Sequence, residues 1–367
     1  MTQNELIGKI NEQLDFINFL TEKGLTDCFS TQTSTTRHEK GQYNNYLPIP
    51  IDDKKQMVSY FYAKTFGAKE GLNVFSILYG LKKKYDVQLI AGGGNSFAGV
   101  NSDKIKIEAK IFTEPTIQGF ETIAHELGHA LTARNNKQIL LLKQIEKAKN
   151  AQQRDFAQRE YEGFCREKGS CGYDAIGEIE TMTIEKLFVQ FLTEEKQYKK
   201  LFDQYSFDIN QYQQEYEKEH ENMAYQRMQT IVETQQTFKK YKIIDYFKDE
   251  KEFEMFLSQF PNDQEKERFI SDMEHTLAGN AKYSFRYVAG EAISKHWFDK
   301  YQQADKSQRK ALKKKFTQFW SETDRLNIEQ TSSLLCDGKS LTDVISQYFT
   351  QSKIHESDLE QDEYEME

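Results

Sequence analysis

A mainly α fold with one small β-sheet ahead of a central helix is what this sequence predicts, on three observations. Only 4 prolines interrupt its 367 residues, so helices can run long. Most stretches between loop signals place apolar residues three and four apart, which is the helical period. Residues 104–112 alternate instead, with Ile105, Ile107, Ala109 and Ile111 set against Lys104, Lys106, Glu108 and Lys110, the period of a half-buried strand. An apolar fraction of 38%, with 13% aromatic residues, suffices for a sizeable core.

Taken in order, residues 3–22 read as an amphipathic helix. A polar Ser/Thr-rich loop then runs from Ser30 to Asn45 and ends at Pro48 and Pro50, ahead of helices near 52–66 and 70–84. Val87 to Ala91 reads as a strand. The Gly92-Gly93-Gly94 run reads as a turn, because no phosphate-loop spacing follows it. The alternating stretch 104–112 points at the next helix and reads equally as a candidate edge strand for pairing with an extended peptide or as part of a small structural sheet. Pro115 is placed in the first turn of a helix that fades near Asn135 and Asn136. Residues 137–168 are polar and charged, a solvated helix or hairpin, and 169–174 break them. Residues 175–202 are amphipathic again through Ile176, Ile179, Met182, Leu187, Phe191 and Leu192. Further helices are placed at 211–247, 264–278, 281–301 and 305–320. The domain reading is an N-terminal helical region and sheet over 1–112, a helical core over 113–354, and an acidic, disordered tail over 355–367.

Against 58 acidic residues stand 49 basic ones, a net charge of −9, which argues against a nucleic-acid-binding face. Residues 1–20 carry Glu5, Glu12 and Asp15 and lack the basic start and apolar run of a signal peptide. No later stretch has the length of apolar residues that a membrane span needs. Cys28, Cys165, Cys171 and Cys336 fit neither a zinc knuckle nor a C-x-x-C motif. Free thiols and a cytoplasmic location are expected.

The residues with the clearest chemistry are His125-Glu126-Leu127-Gly128-His129. On a helix, residues four apart share a face, so His125 and His129 can offer two imidazoles to one metal while Glu126 handles a proton. Ile117, Phe120, Ala124, Leu127 and Leu131 form the apolar stripe that would bury this helix and turn the His pair to a cleft. Glu121, one turn earlier, could accept the other ring N–H of a ligating His. A catalytic zinc needs a third protein ligand. Glu178 is the choice, with Glu185, seven residues on and on the same side of its helix, as a supporting carboxylate. Glu180 points about 200° away from Glu178 and is the ligand only if that register is wrong.

Glu121-Thr-Ile-Ala-His125-Glu126-Leu-Gly-His129 resembles the active-site helix of the thimet oligopeptidase and oligoendopeptidase F family of gluzincins. Glu178-Ile-Glu-Thr-Met-Thr-Ile-Glu185 is similar to that family's ligand helix. The segment from His275 through Tyr283, Phe285 and Tyr287 to Gly290 and Glu291 resembles its C-terminal block. The resemblance implies a zincin-like helical metallopeptidase domain, one Zn2+ per chain on His125, His129 and Glu178, and Glu126 as general base. It also implies that His275 and Tyr287, with Tyr283 behind them, meet over the metal to stabilise an oxyanion. Phe285 stands where bacterial relatives tend to carry a third Tyr, and the gap from His129 to Glu178 is longer than usual. The chain is shorter than typical members, which reads as truncation on the N-terminal side, so restriction to oligopeptides does not carry over. The expected function is hydrolysis of peptide bonds in peptides or unfolded protein, with neither nucleic acid nor membrane as partner. Two alternatives stand beside it. One is a dedicated gluzincin that cuts one regulatory protein, and the other a non-catalytic helical zinc-binding or interaction protein.

Overall fold

The computed structural model describes residues 1–30, 46–168 and 171–350. The polar loop expected over Ser30 to Asn45 and the acidic tail over 355–367 lie almost wholly outside the described residues. In chain order the elements are α1 (Gln3–Glu22), α2 (Thr26–Ser30), α3 (Ile51–Phe66), α4 (Ala68–Leu78), β1 (Tyr85–Ala91), β2 (Phe97–Asn101) and β3 (Lys106–Thr113). Then come α5 (Ile117–Leu131), α6 (Ala133–Glu146), α7 (Ala151–Lys168), α8 (Cys171–Glu194), α9 (Lys196–Gln204) and α10 (Ile209–Tyr241). Last are α11 (Glu250–Leu257), α12 (Asp263–Gly279), α13 (Ala281–Gln303), α14 (Lys306–Glu322) and α15 (Ile328–Leu335), with residues 341–350 also helical. The mainly α chain with a small sheet before the His-bearing helix is therefore observed. None of the described helices is long and apolar enough to cross a membrane.

The sheet corrects one expectation. Its order is β1-β3-β2, with β1 parallel and β2 antiparallel to β3. The alternating strand is thus the inner one, paired on both sides over most of its length, and cannot add an extended peptide there. Its alternation reports burial of one face, with Ile107, Ala109 and Ile111 inside, and says nothing about which edges are free. Among the described residues the outer strands of the sheet are β1 and β2. Two smaller corrections concern helix ends. The helix expected to reach residue 84 stops at Leu78, followed by Gly80 at φ 67°, a left-handed residue that reverses the chain. Pro115 lies before the helix rather than in its first turn, because Thr116 takes the N-cap and accepts from the Gly119 N–H. The same helix ends at Leu131. Thr132 adopts an extended conformation and its hydroxyl caps α6 by accepting from the Arg134 and Asn135 N–H groups.

α8 is the hub that positions the site, packed between α5 and α13. Two glycines allow the close approach. A Cβ at Gly128, inside the His-bearing motif, would sit 3.0 Å from Ile184 Cδ1 and Thr181 Cγ2 of α8. A Cβ at Gly290 would meet Met182 Sδ at 2.8 Å and Glu178 Cβ at 3.0 Å. Phe120, Ala124 and Leu127 of α5 and Ile176, Ile179 and Phe188 of α8 are fully or almost fully buried in the shared core. A second apolar cluster, including Ile10, Leu14, Phe238, Phe253 and Phe269, joins α1 to α10, α11 and α12. There α12 buries Phe269, Met273, Thr276 and Leu277.

Candidate metal centre

The core stripe on α5 leaves His125 and His129 together on the opposite side, with ring centroids 4.9 Å apart. From α8, Glu178 Oε2 approaches His125 Nε2 at 3.8 Å and His129 Nε2 at 3.9 Å. One donor atom from each of the three residues lies within 4.8 Å of the others. The two imidazole nitrogens and the carboxylate oxygen thus converge on one point, as the sequence anticipated for Glu178. Glu178 is 4% exposed and its Oε2 is buried without a hydrogen-bond partner, a costly state that a cation at the convergence point removes. A set of two His and one Glu suits zinc and leaves room for a non-protein ligand. The residues present fit the metal on this test.

Two members of the set are held by a second group. Glu185 Oε2 lies 3.1 Å from His125 Nδ1, so an Nδ1–H donated there leaves Nε2 free to bind. Arg286 Nε stands 3.5 Å from Glu178 Oε1, so this carboxylate gives one oxygen to the guanidinium and the other to the His pair. Glu185 also faces His220 Nε2 at 4.0 Å. His220 Nδ1 lies 3.3 Å from Glu291 Oε2, and Lys186 Nζ donates to Glu291 Oε1 at 2.9 Å. The His220 ring lies against Tyr216, centroids 4.2 Å apart. A largely buried series of alternating imidazole, carboxylate and ammonium groups therefore runs from His125 through Glu185, His220 and Glu291 to Lys186, linking α5, α8, α10 and α13.

These neighbours set the protonation of the site. Burial opposes the charged form of His125, but the bonded Glu185, with Glu178 and Glu126 nearby, overcomes it and carries the pKa up to about 9. Burial works against the Glu185 charge too, yet His125, His220 and Lys186 hold its pKa below the ordinary value. Glu126 is pushed up to about 7 by burial, with His125 pulling the other way and Glu178 and Glu185 adding to the rise. Its Oε2 is buried and without a hydrogen-bond partner. Burial also raises Glu178, against the pull of His125 and Arg286.

The other sequence-predicted residues divide. Tyr283 and Tyr287 do reach the neighbourhood. Their hydroxyls are 2.9 Å apart, and Arg286, which faces Glu178, donates to the Tyr287 oxygen at 3.1 Å. Burial raises the Tyr287 pKa, and the charge on Glu178 raises it further. His275 does not join them. It sits on the exposed side of α12, opposite the face that carries Met273, Thr276 and Leu277 into the second core. Phe285, which replaces a Tyr in the resembling block, is buried between Phe16 and Phe19. Glu121 is buried but does not support His125. It accepts from the Tyr212 hydroxyl instead, and Glu185 takes the role assigned to it. Glu180 and Glu185 are not surface carboxylates. Glu180 is fully buried and faces Arg134 NH2 at 3.5 Å, on the side of α8 away from the His pair. His220, Arg286, Glu291 and Lys186 were not singled out from the sequence as site residues. For His220 a signal existed, since it falls in the four-residue repeat Tyr212, Tyr216, His220, Ala224 and Met228, the buried stripe of an otherwise polar helix.

No protein-family model matches this chain, and neither does any curated protein. Among solved structures it is similar to one described as "a putative oligoendopeptidase F from Bacillus anthracis str. Ames", with 12% identity and a TM-score of 0.44, over 95% of this chain and 55% of that one. The chain thus spans about half the length of the structure it matches. At this level of likeness neither family nor activity follows from it, and the site stands on its own geometry.

Proposed function

We propose that this protein is a zinc-dependent peptidase that hydrolyses bonds in peptides or unfolded protein. The observation that carries the reading is the convergence of His125 Nε2, His129 Nε2 and Glu178 Oε2 beside a buried Glu126 whose pKa is pushed up to about 7. Zinc held there would supply an acidified water and a Lewis acid for the scissile carbonyl.

The chain's own residues do the rest. Glu185 fixes the His125 tautomer, and Arg286 turns Glu178 so that one oxygen faces the His pair. Glu126 has a pKa suited to taking a proton at neutral pH and returning it to the leaving amine. Tyr287 accepts from Arg286, which leaves its own O–H for the oxygen that gains charge as the carbonyl is attacked. Tyr283 shares a hydrogen bond with it and steadies its direction. An extended substrate that pairs with the sheet would add to an outer strand, β1 or β2, rather than to β3.

The test has two arms. Purified protein should hold one zinc per chain and cut members of a mixed peptide library. Glu126→Gln should keep the zinc and lose about a thousandfold in rate, since the amide keeps the shape but cannot take a proton. A zinc-loaded protein that leaves the whole library intact, or a Glu126→Gln variant as active as the parent, overturns the reading.

A further inference from the structure

α6 and α7 fill the interval between His129 and Glu178, and the chemistry proposed above uses neither of them. α7 buries little of itself. Among its described residues only Ala157 and Phe164 are buried, and Phe164 shares a small core with Leu141 of α6. Between the two helices runs an open groove of about 710 Å³. Leu140 and Phe156 line it and remain 57% and 62% exposed, which leaves an apolar strip facing water. Lys143, Lys147 and Arg159 line it too, and among the described residues no carboxylate does. None of these three cations makes an ion pair with a described residue, whereas Lys137, earlier on α6, faces Asp324 at 3.8 Å. Lys84 donates to Asn136 of the same helix. Burial, with the charges of Lys143 and Lys82, holds Lys84 below the ordinary lysine value, so like charges already crowd this side of the molecule. In a chain of net charge −9, an apolar strip flanked by unpaired cations fits an acidic segment that carries a few apolar side chains.

The chain itself contains such a segment. Residues 355–367 include seven Asp or Glu and no Lys or Arg, and place Leu359, Tyr364 and Met366 among the acids. The described residues bring that segment to the side of the molecule where α7 ends. Leu341 opens the helical stretch 341–350, and its N–H donates to Glu329 Oε2 of α15 at 3.2 Å. A Cβ at Gly172, at the start of α8, would lie 3.0 Å from Ile328 Cγ2 of the same α15, so the stretch begins beside the junction of α7 and α8. From there the helical stretch spans about 14 Å, and α7 runs about 18 Å back from Lys168 to Phe156. Sixteen residues separate Thr350 from Met366 and can span about 50 Å. A tether of this kind holds the segment at a roughly millimolar effective concentration, so a weak intrinsic affinity is enough to fill the groove. We propose that residues 355–367 dock in the groove between α6 and α7 of their own chain. The acidic side chains meet Lys143, Lys147 and Arg159, and an apolar side chain enters between Leu140 and Phe156.

The experiment uses the purified full-length chain with the photo-crosslinking residue p-benzoylphenylalanine in place of Phe156. Unlabelled and nitrogen-15-labelled protein are mixed before irradiation, so that mass spectrometry tells links within a chain from links between chains. Links from position 156 to residues 355–367 of the same chain should dominate. Raising NaCl from about 0.05 M to 0.5 M should lower their yield about fivefold. The same group in place of Ile244, which is 77% exposed on the connection between α10 and α11, should give few of them. Asp362→Lys, Glu363→Lys and Glu365→Lys together should reduce the yield at position 156 about tenfold, and they alter no residue of the described helices. Adding Lys143→Glu, Lys147→Glu and Arg159→Glu to that chain should restore the links, because the attraction returns with its signs exchanged. Absence of links to 355–367, links mainly between chains, equal yields from positions 156 and 244, or a yield that ignores the charge reversal would each overturn the proposal. So would a charge-exchanged chain with parent-like circular dichroism that recovers no links.

Discussion

Glu178 and Glu180 sit two residues apart on one helix, both buried, and each 3.5 Å from an arginine. They nevertheless do opposite things. Glu178 divides its oxygens between Arg286 and the His125/His129 pair, so one oxygen remains for a cation. Glu180 has rotated to the far side of α8, where Arg134 faces it and, among the described residues, no imidazole does, and burial pushes its pKa up to about 8. Burial and a cationic partner are common to both and decide nothing. The second partner decides. Two imidazoles make one carboxylate part of a ligand set, and their absence makes the other a sealed internal group.

The largest test of this contrast is metal binding. Glu178→Ala should weaken zinc binding by about a hundredfold or more, since one of three protein ligands is lost. Glu180→Gln should leave zinc occupancy as it is. Chelator competition on the two variants measures both. Loss of zinc from the Glu180→Gln variant with retention in Glu178→Ala would reverse the assignment.

The wall opposite Glu178 gives the next largest effect. Tyr287→Phe should lower kcat by about a hundredfold with little change in KM, because the donor acts on charge that develops only in the transition state. Tyr283→Phe should do less, its hydroxyl reaching the site through Tyr287. His275→Ala should leave kcat alone, since that imidazole faces away on α12. Steady-state kinetics on the three variants order the roles, and a large kcat loss for His275→Ala would mean that α12 moves to meet substrate.

How much of this was legible beforehand follows the range of the interactions. α1, α5, α8 and α13 could be placed because their apolar spacing and caps are local. The His125/His129 pair could be placed because a helix alone brings residues four apart together. β2 escaped notice, being only Phe97–Asn101 with Gly99 inside it. The inner position of β3 depends on pairing with both β1 and β2, which no property of its own residues reports. His220 lies in a helix whose Gln, Glu and Lys content reads as a wet surface, and only packing against α13 makes that side an inner one. His275 was assigned by likeness of sequence block, and the register of α12 turned it outward.

The series of groups behind His125 gives a smaller effect. His220→Leu should weaken zinc binding by about tenfold, since Glu185 loses one of the groups that hold it ionised and aimed at His125. His220→Gln, which keeps a donor, should recover part of that. Equal affinities for parent and Leu variant would confine the support of His125 to Glu185 alone.

A last difference, read in stability rather than in zinc binding or rate, separates Glu178 from Glu180 by pH. Glu180 has a folded pKa of about 8 against an ordinary value of 4.5, chiefly through burial, with Arg134 pulling it down only in part. A carboxylic acid raised in this way keeps its proton in the folded state after the unfolded chain has given it up. Its contribution to stability is therefore complete below about pH 4.5 and is lost as pH rises towards 8. The parent should lose stability across that window relative to Glu180→Gln, which has no proton to give, by at most about 1.4 kcal/mol per pH unit. Urea unfolding of both proteins at pH 5.5, 6.5 and 7.5, each in the same excess of zinc, reads the difference in slope. Parallel profiles would mean that Glu180 is already ionised against Arg134, and the two carboxylates of α8 would then differ only in what they face.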